Sequence, residues 1–157
     1  RIGSHNMLQA YTHVAHNSNF GDYIVVSSFS GVAGHVTVED HAVIGAMSGV
    51  HQFVKIGAFA MIGGMSKIVQ DVCPFVIADG NPARVVGLNA VGIARNKIPA
   101  ESKSALKKAY RLIFRSGLKL NDAIQEMEQE LPSTPEIEHL LRFLRNCDRG
   151  LCRTRDR

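Results

Sequence analysis

Residues 32–68 read VAGHVTVEDHAVIGAMSGVHQFVKIGAFAMIGGMSKI. An aliphatic residue returns at every sixth position: Val32, Val38, Ile44, Val50, Ile56, Ile62 and Ile68. The beat extends back through Val26, Phe20, Val14 and Leu8 to Ile2, and forward to Pro74. Glycine follows it directly at Gly3, Gly21, Gly45, Gly57 and Gly63. A period of six matches neither the 3.6 of a helix nor the 2 of an ordinary strand. It matches a hexapeptide parallel solenoid, in which the beat residue points inward. The glycines are expected at corners that need unusual backbone angles. Three hexads make one triangular coil, so residues 18 apart should stack on neighbouring rungs about 4.8 Å apart.

The columns predicted by that count hold small or β-branched residues. Ser30, Ser48 and Ser66 form one, Val36, Val54 and Val72 another, and Ala42 and Ala60 a third. Tight parallel stacking favours such residues. The repeat should end at Pro74, giving a β-helix over 1–74 and a connecting segment over 75–99, with a turn at Gly80-Asn81-Pro82. A helical domain follows over 100–148. Leu106, Ala109, Tyr110, Ile113 and Phe114 carry the face of a first helix, closed by Gly117. Ala123, Ile124, Met127 and Leu131 mark a second, stopped by Pro132. Thr134 then caps a third, with Pro135 at its first position. A basic tail, 149–157, with Arg149, Arg153, Arg155 and Arg157, is expected to fray. The fold expected is a left-handed parallel β-helix of hexapeptide repeats followed by a C-terminal α-helical region. Because Arg1 enters in mid-pattern, the β-helix is expected to be N-terminally truncated.

The chain has 157 residues, 45% of them hydrophobic, and a net charge of +4. No run of 18 apolar residues predicts a membrane span. The mild positive charge permits an acidic partner, but no nucleic-acid motif accompanies it. Cys73, Cys147 and Cys152 lack metal-site spacing and read as reduced cytoplasmic thiols.

Phase also sorts the seven histidines. His16 should stack under Gly34 and Gln52, with His35 one position beyond that column and His51 one before it. His13 lies three residues upstream, across a corner or on the next face. His5 and His41 share another column with Tyr23 between them. The histidines could be ordinary surface residues. Gathered at one edge, they could instead supply a general base. A glycine on the next rung would leave a backbone N–H free for an oxyanion. Three imidazoles could also hold zinc.

Motifs along the chain narrow this choice. They are His13-Val14-Ala15-His16-Asn17, Ala33-Gly34-His35-Val36, Gly49-Val50-His51-Gln52-Phe53 and Gly80-Asn81-Pro82-Ala83-Arg84-Val85-Val86-Gly87-Leu88-Asn89. With the helical Ala109-Tyr110-Arg111-Leu112-Ile113-Phe114-Arg115-Ser116-Gly117, they resemble the UDP-N-acetylglucosamine acyltransferases that begin lipid A synthesis. The resemblance implies a cytoplasmic homotrimer with active sites between subunits. It implies transfer of a 3-hydroxyacyl group from acyl carrier protein to the 3-hydroxyl of UDP-N-acetylglucosamine. No cofactor is implied beyond the phosphopantetheine of the carrier, and no metal.

By the same resemblance, His16 is the catalytic base and Gly34 the oxyanion donor. His13 and His35 line the sugar and acyl pocket, and His51 and Gln52 lie near the substrate cleft. Gly64 limits acyl length and leaves room for a long chain. Asn89 and Arg95 belong to the nucleotide-binding segment. The chain departs from the family at Asn17, where an aspartate is common, and at Val91 and Asn96. Upstream coils, which in the family carry further sugar contacts, are absent from the sequence. The readings set against the acyltransferase are a γ-carbonic-anhydrase-like zinc enzyme, a trimeric fragment without turnover, and a sister enzyme acylating a UDP-acyl-glucosamine. Lys103, Lys107, Lys108, Arg111 and Arg115 on the first helix read either as a solvated face or as a dock for the acidic carrier protein.

Overall fold

The computed structural model describes residues 1–154; Arg155 and Arg157 of the expected tail lie outside the described residues. Two-residue strands follow one another at six-residue intervals and sort into three parallel faces. Met7–Leu8, Val25–Val26, Val43–Ile44 and Met61–Ile62 make one face. His13–Val14, Gly31–Val32, Gly49–Val50 and Lys67–Ile68 make the second. Asn19–Phe20, Thr37–Val38 and Lys55–Ile56 make the third. Partners are 18 residues apart, as in Val25↔Val43 and His13↔Gly31. The second residue of each strand points inward, and Val26, Val32, Ile44, Ile56 and Ile62 are wholly buried. Each such side chain is worth about 1.5–3 kcal/mol.

The serine column is buried as well, and it does more than save space. Ser30 Oγ donates to Gly45 O at 2.8 Å, and Ser48 Oγ to Gly63 O at 3.0 Å. The hydroxyls thus tie each corner to the coil above it.

The repeat glycines behave differently from expectation. Gly3, Gly21, Gly45, Gly57 and Gly63 do not have positive φ. The left-handed positions fall three residues after each beat and carry His5, Tyr11, Asn17, Tyr23, Phe29, His35, His41, Met47, Phe53, Phe59 and Met65. Glycine is required for space: a Cβ at Gly45 would lie 2.6 Å from Gly64 N on the next coil. The left-handed conformation costs a non-glycine residue about 1–2 kcal/mol. Side-chain stacking offsets part of this. The rings of His5, Tyr23, His41, Phe59 and Phe75 form one ladder with centroids 4.7–5.3 Å apart.

The count of 18 fails at one place. Ile56 pairs with Val72 and Met61 with Ile77, both 16 apart. Val72 therefore continues the column of Val38 and Ile56, not that of Val36 and Val54. Pro74 is not a beat; it lies against Gly57. The corner around Asp71 lacks a left-handed residue, and its edge is filled by another part of the chain: Asp71 bridges Leu151; the corner after it has one again, Phe75.

The β-structure also continues past residue 74. Val76–Gly80 adds in parallel to Met61–Ile62, and Ala83–Leu88 folds back on it as a hairpin. Four helices follow: α1 (Ala90–Arg95), α2 (Ala100–Phe114), α3 (Leu120–Glu130) and α4 (Pro135–Arg145). α1 is absent from the sequence reading. In α4 the expected cap is present, Thr134 accepting from Ile137 N. Leu106, Met127, Ile137 and Leu140 pack the helices together. α4 is pinned to the β-helix by His139 Nε2 against Glu39 Oε2 at 2.8 Å. The segment after α4 is docked rather than frayed, with Leu151 and Cys152 buried. Among the described residues no helix is long and apolar enough to cross a membrane.

Candidate active site

At one corner of the triangular coil the chain turns through His16-Asn17, then Gly34-His35, then Gln52-Phe53. Backbone bonds stack these turns: His35 N donates to His16 O at 3.1 Å, and Phe53 N to Gly34 O at 3.2 Å. His16, Gly34 and Gln52 thus lie on successive rungs, as phase requires. The His16 imidazole covers Gly34. A Cβ on Gly34 would come within 2.9 Å of His16 Cε1 and 3.0 Å of Nε2. His35 meets His16 edge to face at a centroid distance of 5.3 Å. It stacks in turn on Phe53 at 4.9 Å. His16, His35, Gln52 and Phe53 are all exposed.

The amide of Gly34 is open. Two residues after a beat, the backbone N–H points away from the strand ladder. At Ser4 and Asp22 it donates to the carboxylates of Asp22 and Asp40, at 2.6 and 2.8 Å. At Ser28 it donates to Gln9 Oε1, and at Ala58 to Glu39 Oε2. At Gly34, as at Ala10, His16, Asp40, Ala46, Gln52 and Gly64, it has no acceptor among the described residues; at Gly34 the His16 imidazole lies over it. An exposed imidazole over an open amide, with no Cβ between them, can pair a base with an oxyanion donor.

The remaining predicted residues are dispersed. His13 projects outward from its strand, in register with Gly31, Gly49 and Lys67. His51 faces the segment after α4, with Nδ1 3.2 Å from Arg149 Nη2 and 3.3 Å from Gln52 O. Gly64 occupies a different corner, stacked on Ala46. Asn89 is only 8% exposed and caps α1: Oδ1 accepts from Gly92 N, while Nδ2 donates to Phe59 O at 2.8 Å. Its amide ties α1 to the β-helix. Arg95 is exposed in the last turn of α1. Two residues of this region went unnoticed in the sequence. Phe53 was within reach, since it lies 18 after His35. Arg149 was not, because nothing local says where the chain returns.

The thiols are not nucleophiles in this fold. Burial pushes Cys73 and Cys152 up, and Cys147 to about 12. Such thiols carry almost no thiolate near neutral pH. Among the described residues no three His, Cys, Asp or Glu side chains are grouped to hold a metal ion. Asp71 is fully buried, and burial raises its carboxyl above the ordinary range.

Known proteins resemble this chain over nearly its whole length. Residues 71–152 match the family model described as UDP N-acetylglucosamine O-acyltransferase, domain 2. That match covers the hairpin and helices; the histidine corner lies in the part matched by whole relatives. The acyl-[acyl-carrier-protein]–UDP-N-acetylglucosamine O-acyltransferase of Fusobacterium nucleatum is 57% identical over 153 residues, 98% of this chain and 60% of its own length. The enzyme of the same name from Thermodesulfovibrio yellowstonii is 47% identical over 97% of this chain and 59% of its own length. The crystal structure of UDP-N-acetylglucosamine O-acyltransferase from Moraxella catarrhalis superposes with a TM-score of 0.93 at 43% identity, covering 98% of this chain and 60% of that one. The chain therefore spans about 60% of the length of the relatives it matches.

Proposed function

The chain belongs to the UDP-N-acetylglucosamine O-acyltransferase family, and from that premise we propose that it transfers a 3-hydroxyacyl group from acyl carrier protein to the 3-hydroxyl of UDP-N-acetylglucosamine, the first step of lipid A synthesis. The observation that carries this reading is the His16 imidazole lying over the unpartnered amide of Gly34. His16 takes the proton from the sugar hydroxyl as its oxygen attacks the thioester carbonyl. The C–O bond forms, and the negative charge moves to the carbonyl oxygen, which the Gly34 N–H receives. Collapse of the tetrahedral adduct breaks the C–S bond, and His16 returns its proton to the leaving thiolate of the carrier. A positioned base contributes about 10²–10⁴ in rate. A donor aimed at the oxyanion contributes about 10²–10³. Asn17 can orient the imidazole but supplies no charge to stabilise imidazolium. The acyl group arrives on phosphopantetheine, so the reaction requires no further cofactor.

The placement of the parts supports assembly between copies of the chain. His16 and Gly34 stand on one edge of the prism and Gly64 on another. One chain cannot close a pocket over a convex edge, whereas packed prisms can bring two different edges together. We therefore infer a cytoplasmic homotrimer whose sites lie between subunits, with His13 and His35 toward the sugar and acyl group. His51 and Gln52 border the cleft, Arg95 faces the nucleotide, and Gly64 leaves room for a long acyl chain. Lys107, Lys108 and Arg111 are exposed on α2, Arg115 is exposed at its C-cap, and together they suit an acidic carrier protein. Added salt should then raise KM for the carrier substrate.

The deciding experiment is an acyl-transfer assay with UDP-N-acetylglucosamine and 3-hydroxyacyl carrier protein. Transfer by the wild type that His16→Ala reduces about 10²-fold or more supports the reading. Equal turnover removes His16 as the base, and no transfer by the wild type overturns the assignment of activity to this chain.

A further inference from the structure

The segment after α4 returns to the β-helix as a strap. Asp71 holds it from both sides of its own peptide: Asp71 N donates to Gly150 O at 2.9 Å, and Cys152 N donates to Asp71 O at 2.8 Å. The buried carboxylate accepts from Lys55 N at 2.8 Å and Arg149 N at 3.2 Å. Lys55 Nζ adds bonds to Asn146 O at 2.6 Å and to Asp148 Oδ2 at 2.5 Å. Further along, Val85 N donates to Arg153 O, and Arg153 Nη1 to Ile113 O. The backbone of residue 149 is therefore fixed, although its side chain is exposed. That side chain reaches His51, 98 residues away in the chain.

His51 Nδ1 has two neighbours that demand opposite protonation. Gln52 O, at 3.3 Å, is an acceptor and asks for Nδ1–H. Arg149 Nη2, at 3.2 Å, is a donor and asks for a bare lone pair. A guanidinium has no acceptor and keeps its protons at any ordinary pH, so it cannot yield. A charge-assisted bond also outweighs a long neutral one. We propose that Arg149 is a positioning residue for His51: docked by the strap, it holds the imidazole as the Nε2–H tautomer and so turns the outer nitrogen into a hydrogen-bond donor for an oxygen of the bound nucleotide sugar. The inference rests on the function proposed above, in which His51 borders the substrate cleft. Without Arg149, Nδ1–H donates to Gln52 O, and Nε2 presents a lone pair to the same oxygen. One residue of the strap thereby sets whether a β-helix histidine attracts or repels its ligand.

The test reads the ring nitrogens of His51 by ¹⁵N NMR at about pH 8, where the ordinary imidazole is neutral. His51→Ala assigns the signals, and UDP-N-acetylglucosamine is then titrated into the same samples. In the wild type Nδ1 should be bare and Nε2 protonated. In Arg149→Ala the pattern should reverse and the nucleotide sugar should bind about fivefold more weakly, the worth of one exchanged hydrogen bond. Arg149→Lys, which keeps a donor, should retain the wild-type pattern. A purely structural role for Arg149 would move neither readout, since its side chain is exposed. An unchanged tautomer in Arg149→Ala, or unchanged affinity, overturns the proposal. The readout needs no turnover: a chain that binds the nucleotide sugar without transferring acyl groups would sink the acyltransferase reading and leave this assignment standing.

Discussion

Replacing Gly34 by alanine tests whether the imidazole and the open amide act together. The new Cβ would sit 2.9 Å from His16 Cε1, 3.0 Å from Nε2 and 3.3 Å from His16 O. Ordinary contact begins near 3.4 Å, so the ring must swing away by about half an ångström. The ring is exposed and the backbone contact is barely short, so the fold should lose less than about 1 kcal/mol, a few degrees in Tm. Activity should suffer far more. Misplacing a catalytic group by about an ångström costs up to about 10²-fold, and the methyl also crowds the oxyanion position. We expect kcat to fall about 10²-fold, or ~2.7 kcal/mol of barrier, with KM for the carrier substrate little changed. Gly87→Ala is the control, because a Cβ there meets no atom within 4 Å. Initial rates of acyl transfer and thermal melts on the two variants decide the matter. A Gly34→Ala protein with kcat within threefold of wild type (about 0.65 kcal/mol) would refute the reasoning, as would a rate loss matched by loss of fold.

Three further expectations concern the scaffold. Ser48→Ala removes a buried hydroxyl that donates to Gly63 O and accepts from Ser66 N; urea unfolding should show a loss of about 1–3 kcal/mol, and a neutral result would mean the column serves packing alone. Iodoacetamide at about pH 8 should leave Cys73, Cys147 and Cys152 unmodified in the native protein and label all three in urea, as mass spectrometry can count. Because burial raises the Asp71 pKa, the folded state binds that proton more tightly than the unfolded state. Its contribution to stability is therefore largest below about pH 4, the unfolded value, and declines as pH rises through the folded pKa. Relative to Asp71→Asn, the wild type should lose ground in denaturant midpoint between about pH 4 and pH 7, and a difference that grows with pH would contradict the sign.

The histidine corner was legible because the contacts that build it repeat. His16 over Gly34, and Gly34 beside Gln52, follow from counting 18, and so does the place of Tyr23 between His5 and His41, observed at 4.8 and 5.0 Å. The same rule would have found Phe53 against His35. Counting failed at Val72 because the corner before it is two residues shorter, which no composition signal marks. The repeat glycines were located correctly but explained wrongly: glycine after an aliphatic suggests backbone angle, and only coordinates reveal the backbone of the next coil 2.6 Å from the missing Cβ of Gly45. The motif placed Asn89 in a functional segment, and only the coordinates show that its side chain also bonds Gly92 N and Phe59 O.

By itself, then, the sequence determined the β-helix, its rungs and the stacking of His16, Gly34 and Gln52. Those contacts join residues at a constant separation, so a periodic pattern carries them in full. The tertiary structure decided everything aperiodic: the shortened coil, the strap clamped at Asp71, and the arrival of Arg149 at His51 from 98 residues away. Contacts of that kind arise only when the chain returns in three dimensions. They determine which nitrogen of an imidazole carries a proton, a matter on which no spacing along the chain bears.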